Sequence, residues 1–392
     1  MARASSSPVG WTRPVASLWG GQAFLPATQI DRQDACRPHS QDGCAPAAPL
    51  FNRARSLLGL VAFAFAATNA FAEDAGPPVE RIAFGSCNRE YKPQPLWKPI
   101  RECKPDLWIW LGDIVYGRAD DLTDLARRYR AEKSQPDYKS LREQCRVIGV
   151  WDDNDYGVED GGKDNPNKVE CQRLLLDFLD EPADSPRRKQ AGVYVAHSFG
   201  PVGKRVKIIL LDGRYHREKP GATTDPLGAE QWQWLEQQLT NSDADVHLIG
   251  SGIQVIASEH PYEKWADFPA ARARLFSLIA RSGARNVIFL SGDRHLGEIS
   301  RLADPPLTQP LYDITSSGMT HHAQDNFFHS FTHEANRFRC GNNFVDLNFG
   351  LIEFDWEASP PRIKMEIRDA KNVVRVEEKV NLALPRLTSA TR

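Results

Sequence analysis

Short apolar runs alternate in this chain with segments of helical spacing, and this alternation limits the folds open to it. Runs such as Val206–Leu211 and Val287–Ser291 are almost continuously apolar, which is typical of strands buried on both faces. Between such runs, Val169–Leu179, Glu230–Leu239 and Ala270–Ala280 place apolar residues about every third or fourth position, which predicts helices. The strand–helix–strand order predicts an α/β fold with much parallel pairing.

The predicted strands are short segments rich in apolar, β-branched or aromatic residues. They are Arg81–Ser86, Leu107–Leu111, Arg146–Trp151, Val193–Ser198, Val206–Leu211, Val246–Gly250, Val287–Ser291 and Tyr312–Thr315. The tail from Phe344 to Leu382 has the pattern of an antiparallel meander. The stretches 159–166, 217–228 and 304–310 are rich in Pro and Gly and are predicted loops.

The stretch before residue 53 has no apolar periodicity. It is rich in Pro, Ala, Ser, Gln and Arg, a composition that predicts no packed structure. We expect residues 1–52 to be a disordered extension, or an upstream stretch that is not translated if the true start lies near Leu50. A single working domain is expected at 73–392.

Residues 53–72 have the layout of a secretory signal peptide. Arg53 and Arg55 precede an uncharged apolar run from Leu57 to Ala67, and a small-x-small site ends at Ala72. The run is short for a membrane span, although an uncleaved N-terminal anchor is the alternative. The sequence therefore predicts an exported protein, periplasmic or secreted, with no transmembrane segment in the mature chain.

Charge and cysteine content exclude two classes of protein. The 49 Lys and Arg nearly balance the 51 Asp and Glu, so the chain is not a nucleic-acid binder driven by bulk positive charge. Seven cysteines in 392 residues are too few for a disulfide scaffold. An odd number follows the predicted signal peptide, which indicates that one cysteine has another task in an oxidising compartment. These are Cys87, Cys103, Cys145, Cys171 and Cys340.

Chemically active residue types follow several predicted strands directly. The segments read IAFGSCNRE, LWIWLGDIVYG, VIGVWDDNDYG, IILLDGRYH and VIFLSGDRHLGE. A single Gly-Asp after a strand is more often a turn or a helix cap. Ligands of open α/β sheets bind beyond the carboxyl ends of the strands, so five such segments predict one shared site.

The side chains in these segments predict a metal centre. Bare carboxylates cannot share a pocket, because like charges repel each other. The carboxylates are those of Asp113, Asp152, Asp153, Asp155 and Asp293. His295, Cys87 and the phenol of Tyr116 add nitrogen, sulfur and a further oxygen. This mixture favours two or more metals, one of them a transition ion, which could clamp the attacking and leaving oxygens of phosphoryl transfer.

The order of these motifs resembles a known family. FGSCN, LGDIVY, WDDND, LLDGRYHR, LGAEQWQWLEQQL, SGDRHLGE and YDITSSGMTH are similar to the alkaline phosphatase D (PhoD-like) metallophosphoesterases over most of residues 80–320. The resemblance implies a layered α/β/β/α sandwich of two packed β-sheets flanked by helices. It also implies hydrolysis of a phosphomonoester or phosphodiester by a metal-bound hydroxide, with no covalent enzyme intermediate. A phosphoester is then the expected partner, whereas the sequence leaves the oligomeric state open.

The resemblance also implies an iron site. Through the similarity of this family to purple acid phosphatases, Asp113 would bridge two metals and Tyr116 would bind Fe3+. Cys87 would be an iron thiolate.

A second metal site is implied next to the iron, with Ca2+ as the expected ion. Asp153 would bind this metal, and Asp152 would be a further ligand or would instead cap a helix or support a ligand. Asp293 and His295 would each bind a metal.

Some residues near the motifs have roles that the sequence leaves open. Asn154 stands where many bacterial members have a His, so His216, His260 or His321 is an alternative proton donor to the leaving group. Arg214 and Arg294 are expected to hold phosphate oxygens in bidentate fashion, with surface ion pairing as the alternative.

Residues further along the chain offer additional candidates. Gln254 and His260 follow a predicted strand where related folds place a metal ligand. A Phe-rich loop is expected to form the rim of the substrate site, with a separate metal site as the alternative. Its histidines are His321, His322, His329 and His333.

The sequence leaves two alternative functions open. One is a non-catalytic, metal-dependent binding protein on the same fold. The other is an enzyme of different specificity, such as a phospholipase or a nucleotide phosphodiesterase, because substrate choice resides in loops.

Overall fold

The computed structural model describes residues 76–383, apart from 241, 304–306, 308 and 323–333. These residues belong to the unit Asn69–Arg392. The predicted extension 1–52, the predicted signal peptide 53–72, and the loop histidines His329 and His333 lie outside the described residues.

The first sheet combines three parallel strands with an antiparallel meander, in the order β12-β11-β10-β1-β2-β3. Its strands are β1 (Arg81–Gly85), β2 (Leu107–Leu111), β3 (Arg146–Val150), β10 (Asn348–Asp355), β11 (Arg362–Asp369) and β12 (Val374–Asn381). Strands β1, β2 and β3 pair in parallel, whereas β10 pairs antiparallel with β1. The predicted C-terminal meander is therefore confirmed, and it extends the sheet from β1 outward.

The second sheet has the order β4-β5-β6-β7-β9-β8. Its strands are β4 (Val195–Phe199), β5 (Val206–Leu210), β6 (Val246–Ser251), β7 (Val287–Ser291), β8 (Gly297–Leu302) and β9 (Leu311–Ser316). Strands β5, β6, β7 and β9 pair in parallel, and both edge strands are antiparallel. The predicted strands lie within two residues of the observed ones, but β8 is not predicted because its sequence is broken by Glu298 and Arg301.

Helices connect the parallel strands. They are α1 (Trp97–Glu102), α2 (Leu122–Lys133), α3 (Pro136–Gln144), α4 (Asp153–Tyr156), α5 (Lys168–Phe178), α6 (Ala229–Thr240) and α7 (Pro269–Ser282). Sequence properties set several of their ends. The Asp121 carboxylate accepts a hydrogen bond from the Asp124 N–H and begins α2, and Gly283 ends α7 with a φ of 78°. Within the described ranges, no helix has the length and apolar character needed to cross a bilayer.

Two-sided burial of the central strands explains the layered architecture. In β5, Ile208 belongs to the core that includes the apolar side chains of the first sheet. Its neighbour Ile209 belongs to a second core with Trp232 of α6. Successive side chains of a strand point to opposite faces, so a continuous apolar run packs against a sheet on one side and helices on the other. This confirms the predicted sandwich of two sheets flanked by helices.

Candidate metal centre

The predicted metal ligands follow β1, β2, β3 and β7 directly, and Asp153 begins α4. Four of them have positive φ angles although none is glycine: Cys87 (61°), Asp113 (51°), Asp293 (70°) and His295 (56°). This left-handed region is unfavourable for side chains with a β-carbon, and residues held there tend to cluster at functional sites. The turns after three separate strands are thus strained at the positions that carry the candidate ligands.

One group of side chains could hold a transition metal. Donor atoms of Cys87, Asp113 and His295 lie within 4.8 Å of one another. The Tyr116 hydroxyl lies 3.1 Å from Asp113 Oδ2 and 3.5 Å from His295 Nε2, and Cys87 Sγ lies 3.4 Å from the same carboxylate oxygen. Sulfur, nitrogen, phenol and carboxylate donors therefore lie close together.

A second group shares one member with the first. Donor oxygens of Asp113, Asp152 and Asp153 also lie within 4.8 Å of one another, so the Asp113 carboxylate stands between the two groups. Asn154 contacts both sides, because its side-chain nitrogen donates to Asp153 Oδ1 at 2.9 Å and to Asp113 Oδ2 at 3.4 Å. Asp293 and His295 line one cleft together with Asp113 and Asp153, which we call the main cleft. Asp293 belongs to neither of these two donor groups.

The electrostatics of the cluster favour bound cations. Burial, followed by repulsion from Asp153 and Asp152, raises the pKa of Asp113 well above its usual value. Burial also raises the pKa of Asp293 to about 6 and that of the Cys87 thiol well above its usual value. The pKa of His295 is lowered by burial. Unprotonated imidazole is a metal ligand, and cations would offset the repulsion between the carboxylates, so this donor set fits bound metal ions.

Asp155 supports the cluster instead of joining it. Its carboxylate accepts hydrogen bonds from the backbone N–H groups of Asp113 (3.2 Å), Ile114 (3.3 Å) and Asp152 (2.7 Å). Burial raises its pKa to about 7, although these hydrogen bonds oppose the shift. The sequence grouped Asp155 with the other carboxylates, whereas in the fold it joins the Gly-Asp turn after β2 to the start of α4.

Arg214 takes a different place from the one predicted. Its Nε donates to Asp152 Oδ1 at 2.7 Å, and Nη2 lies 2.6 Å from a Glu263 oxygen. Its side chain is 1% exposed and does not line the cleft. The expected phosphate contact therefore lacks geometric support, because the guanidinium is already enclosed by two carboxylates. Asp152 uses an oxygen in this ion pair, which matches the supporting role considered for it.

Arg294 does face the cleft. Its guanidinium lies 3.8 Å from the centre of the Tyr262 ring, and it pairs with Glu334. Its buried Nε has no hydrogen-bond partner among the described residues. The stacking on Tyr262 and the ion pairs with Glu334 and Asp293 hold this guanidinium at the wall of the cleft.

The cleft itself has a volume of about 520 Å³. Several of its walls come from residues that the sequence did not single out: Glu159, Asp160, Arg217, Lys219, Tyr262, Glu263 and Glu334. Most of these belong to the predicted loops 159–166 and 217–228 or to the segment after β6. The sequence signal that could have identified these residues is the position of the two loops directly after two motifs. Their place in the cleft depends on the tertiary fold.

The alternative proton donors differ in position. The His321 ring lies 3.7 Å from the His295 ring between centroids, and its Nδ1 is 3.4 Å from the Tyr116 hydroxyl. His216 packs against the Gly228 turn and the Tyr215 ring instead.

Two further candidates, Gln254 and His260, follow β6. The Gln254 amide donates to Glu298 and Thr315, on strands β8 and β9. Its buried Oε1, the atom that would bind a metal, has no hydrogen-bond partner among the described residues. His260 is buried beside Tyr262, and burial lowers its pKa to about 3.

Comparison with solved structures defines the class of fold. A structure of PhoD matches with a TM-score of 0.55 at 19% identity, covering 79% of this chain and 73% of PhoD. Purple acid phosphatase PPD1 from yellow lupin (Lupinus luteus) seeds also gives 0.55, at 11% identity over 78% and 54% of the chains. GAP50, the anchor in the inner membrane complex of Plasmodium, gives 0.50 at 14% identity over 78% and 90%. These similarities show a metallophosphoesterase-like fold.

The family follows from the sequence match. The chain belongs to the PhoD-like phosphatases, whose family pattern matches residues 82–337. Alkaline phosphatase D of Bacillus subtilis (strain 168) is 22% identical, over 59% of this chain and 48% of that protein. The chain thus spans about half the length of this curated relative. The family resemblance in the motifs is confirmed.

Proposed function

We propose that this protein hydrolyses phosphomonoesters or phosphodiesters with the help of two or more metal ions. The observation that carries the proposal is the position of Asp113, whose carboxylate belongs to the group with Cys87 and His295 and also to the group with Asp152 and Asp153. A carboxylate between two cations is the arrangement needed for a two-metal phosphoesterase. Membership of the PhoD-like family supports the same reaction class.

The donor chemistry divides the proposed metals. Cys87, Tyr116 and His295 offer soft and aromatic donors together with Asp113, which suits a transition ion, and Fe3+ is the ion we propose. Asp153 and Asp293, with Asp113 and a remaining oxygen of Asp152, offer oxygens only, which suits Ca2+. When bound, these cations would lower the pKa of a water molecule and neutralise charge on phosphoryl oxygens.

The protein's own residues would orient the substrate. Arg294, stacked on Tyr262, would donate to two phosphoryl oxygens and stabilise the charge that develops there. The Asn154 amide would hold the Asp113 and Asp153 carboxylates in place and contact the ester. Arg214 would act as a positioning residue through its ion pair with Asp152.

A non-catalytic binding protein is the second candidate, and Asn154 is the observation that favours it. An amide cannot give a proton to the leaving group as a protonated His can. Cation binding without turnover would follow if no other residue took that role. Export remains a further proposal, supported by the charge and apolar pattern of residues 53–72.

Elemental analysis combined with an ester panel tests these proposals. The mature protein should contain iron and calcium and hydrolyse p-nitrophenyl phosphate or bis-p-nitrophenyl phosphate. Asp113→Asn should bind less metal, and its kcat should fall by at least about 10²-fold. Asp355→Asn, at an exposed ion pair on β10, is the matched control and should behave as the wild type.

Two outcomes would contradict the proposal. A fully metal-loaded protein that turns over no ester would favour the binding protein. Turnover that is equal in Asp113→Asn and wild type would remove Asp113 from the reaction.

A further inference from the structure

A second cleft opens beside the candidate metal centre. It has a volume of about 490 Å³ and shares Asn154 and Glu159 with the main cleft. Its other walls come from two segments, 117–120 and 165–167, together with Gly157 and Val158. We call this space the side cleft.

Two residues that line the side cleft are hydrogen-bonded to proposed metal ligands. The backbone N–H of Asn154 lies 3.3 Å from Asp113 Oδ1, and the Val158 N–H donates to the Asp153 carbonyl at 3.1 Å. If a phosphoester binds between Asp113 and Arg294, its leaving group has an open space next to Asn154. Phosphoryl transfer places the leaving group opposite the attacking oxygen, so the leaving group needs such a space of its own.

The walls of the side cleft are largely uncharged. Asn165 and Asn167 direct their amide nitrogens into the protein, where they donate to the carbonyls of Tyr156 and Ala119. Arg118 and Asp120 neutralise each other in an exposed ion pair. Val158 adds a small apolar surface that is 38% exposed.

Glu159 is a charged residue that lines both clefts. It lies at the junction of the two clefts. Repulsion from Asp153, followed by burial and Asp160, raises its pKa, against a weaker attraction from Arg214 and Arg89. A carboxylate in this position attracts a cationic group and repels an anionic one, with screening by solvent because the residue is exposed.

We infer that the side cleft is the leaving-group subsite and that it selects phosphoesters whose leaving group is neutral and polar or cationic. The inference rests on the proposed phosphoesterase function. It narrows the substrate class, because esters with a carboxylate or a second phosphate on the leaving group would meet Glu159.

Alkyl phosphates that differ in the charge of their leaving group test the selectivity. The probes are phosphocholine (cationic), glycerol 3-phosphate (neutral), 3-phosphoglycerate (anionic) and methyl phosphate, whose leaving group is too small to reach the side cleft. We expect kcat/KM for the anionic ester to be about fivefold below that for the neutral one. Glu159→Gln should reduce this difference to within about twofold. Equal rates for the three charges in the wild type, or an unchanged ratio in Glu159→Gln, would overturn the charge selectivity.

A second variant tests the space itself. Val158→Trp places an indole in the side cleft and should lower the glycerol 3-phosphate to methyl phosphate ratio of kcat/KM by about tenfold. Val202→Trp, at an exposed valine away from both clefts, is the matched control and should leave this ratio unchanged. An unchanged ratio in Val158→Trp would exclude the side cleft as the subsite.

The failures of the two proposals are distinguishable. If the metal-loaded wild type turned over none of these four esters or the nitrophenyl esters, the phosphoesterase function itself would fail, and the subsite with it. If it hydrolysed them without discrimination, only the subsite would fail.

Discussion

The carboxylate of Asp155 accepts a hydrogen bond from the backbone N–H of Asp113 at 3.2 Å, although the two residues are 42 positions apart. The same side chain accepts from the N–H of Asp152 at 2.7 Å. One buried carboxylate thus holds together two turns that carry candidate metal ligands. The spacing of the two ligand loops therefore depends on a residue that need not touch a metal.

Asp155→Asn should weaken metal binding. An amide keeps one oxygen acceptor but places an NH2 group against backbone N–H donors, so at least one hydrogen bond is lost. We expect the free energy of unfolding to fall by about 1–3 kcal/mol and metal affinity by roughly tenfold. Metal titration by calorimetry measures the second effect. Asp137→Asn, at an exposed site on α3, is the control; equal metal affinity in both variants would contradict the positioning role.

Removal of Arg214 should lower the free energy of unfolding, because its side chain forms buried ion pairs. Arg214→Met leaves Asp152 buried without its cation and leaves Glu263 with Arg217 alone. We expect a loss of about 3–5 kcal/mol in the free energy of unfolding, measured by urea denaturation. Arg281→Met removes an exposed ion pair with Glu236 and should cost less than about 1 kcal/mol. A small effect at both positions would show that the Arg214 ion pairs are not needed for stability.

Arg294→Met should affect both the reaction and the fold, because Glu334 and Asp293 would lose a buried cation. The side chain lines the cleft and would lose its contact to phosphoryl oxygens, so kcat/KM should fall by about 10²-fold. Arg294→Lys should recover little, since an ammonium group cannot form the bidentate contact. Steady-state kinetics with one good ester would check this, alongside thermal unfolding of each variant. Full rescue by lysine would contradict bidentate binding.

Glu132 should make stability depend on pH. It is fully buried on α2, and burial raises its pKa to about 7 even though Gln94 donates to it at 2.6 Å. The unfolded chain releases this proton near pH 4.5, whereas the folded protein retains it to about 7. The free energy of unfolding should therefore decline by about 3 kcal/mol between these values as the pH rises.

Glu132→Gln should remove that decline, because the amide stays uncharged throughout. Urea denaturation at pH 5 and pH 8 would measure the difference, with the wild type as reference. Glu143→Gln, on the exposed part of α3, should retain the wild-type dependence. A Glu132→Gln variant whose stability declines as steeply as that of the wild type would show that another group is responsible.

Much of the fold could be predicted from the sequence. Apolar runs such as VKIILL identify strands, because a strand buried on both faces cannot contain polar side chains without partners. Helix ends at Asp121 and Gly283 follow from local backbone chemistry. Strand β8 was missed because Glu298 and Arg301 interrupt its apolar pattern, and the Glu298 carboxylate is buried against Arg339 and Gln254.

The sequence by itself determined the residue types of the candidate metal centre and the family of the chain, because Gly-Asp and Asp-Asp turns after strands are local patterns. Only the tertiary structure decided what each carboxylate does. Asp113 faces both donor groups, Asp155 binds backbone N–H groups, and Asp152 pairs with Arg214. These residues look alike in sequence, and their roles differ because burial and hydrogen-bond partners come from strands and loops that are distant along the chain.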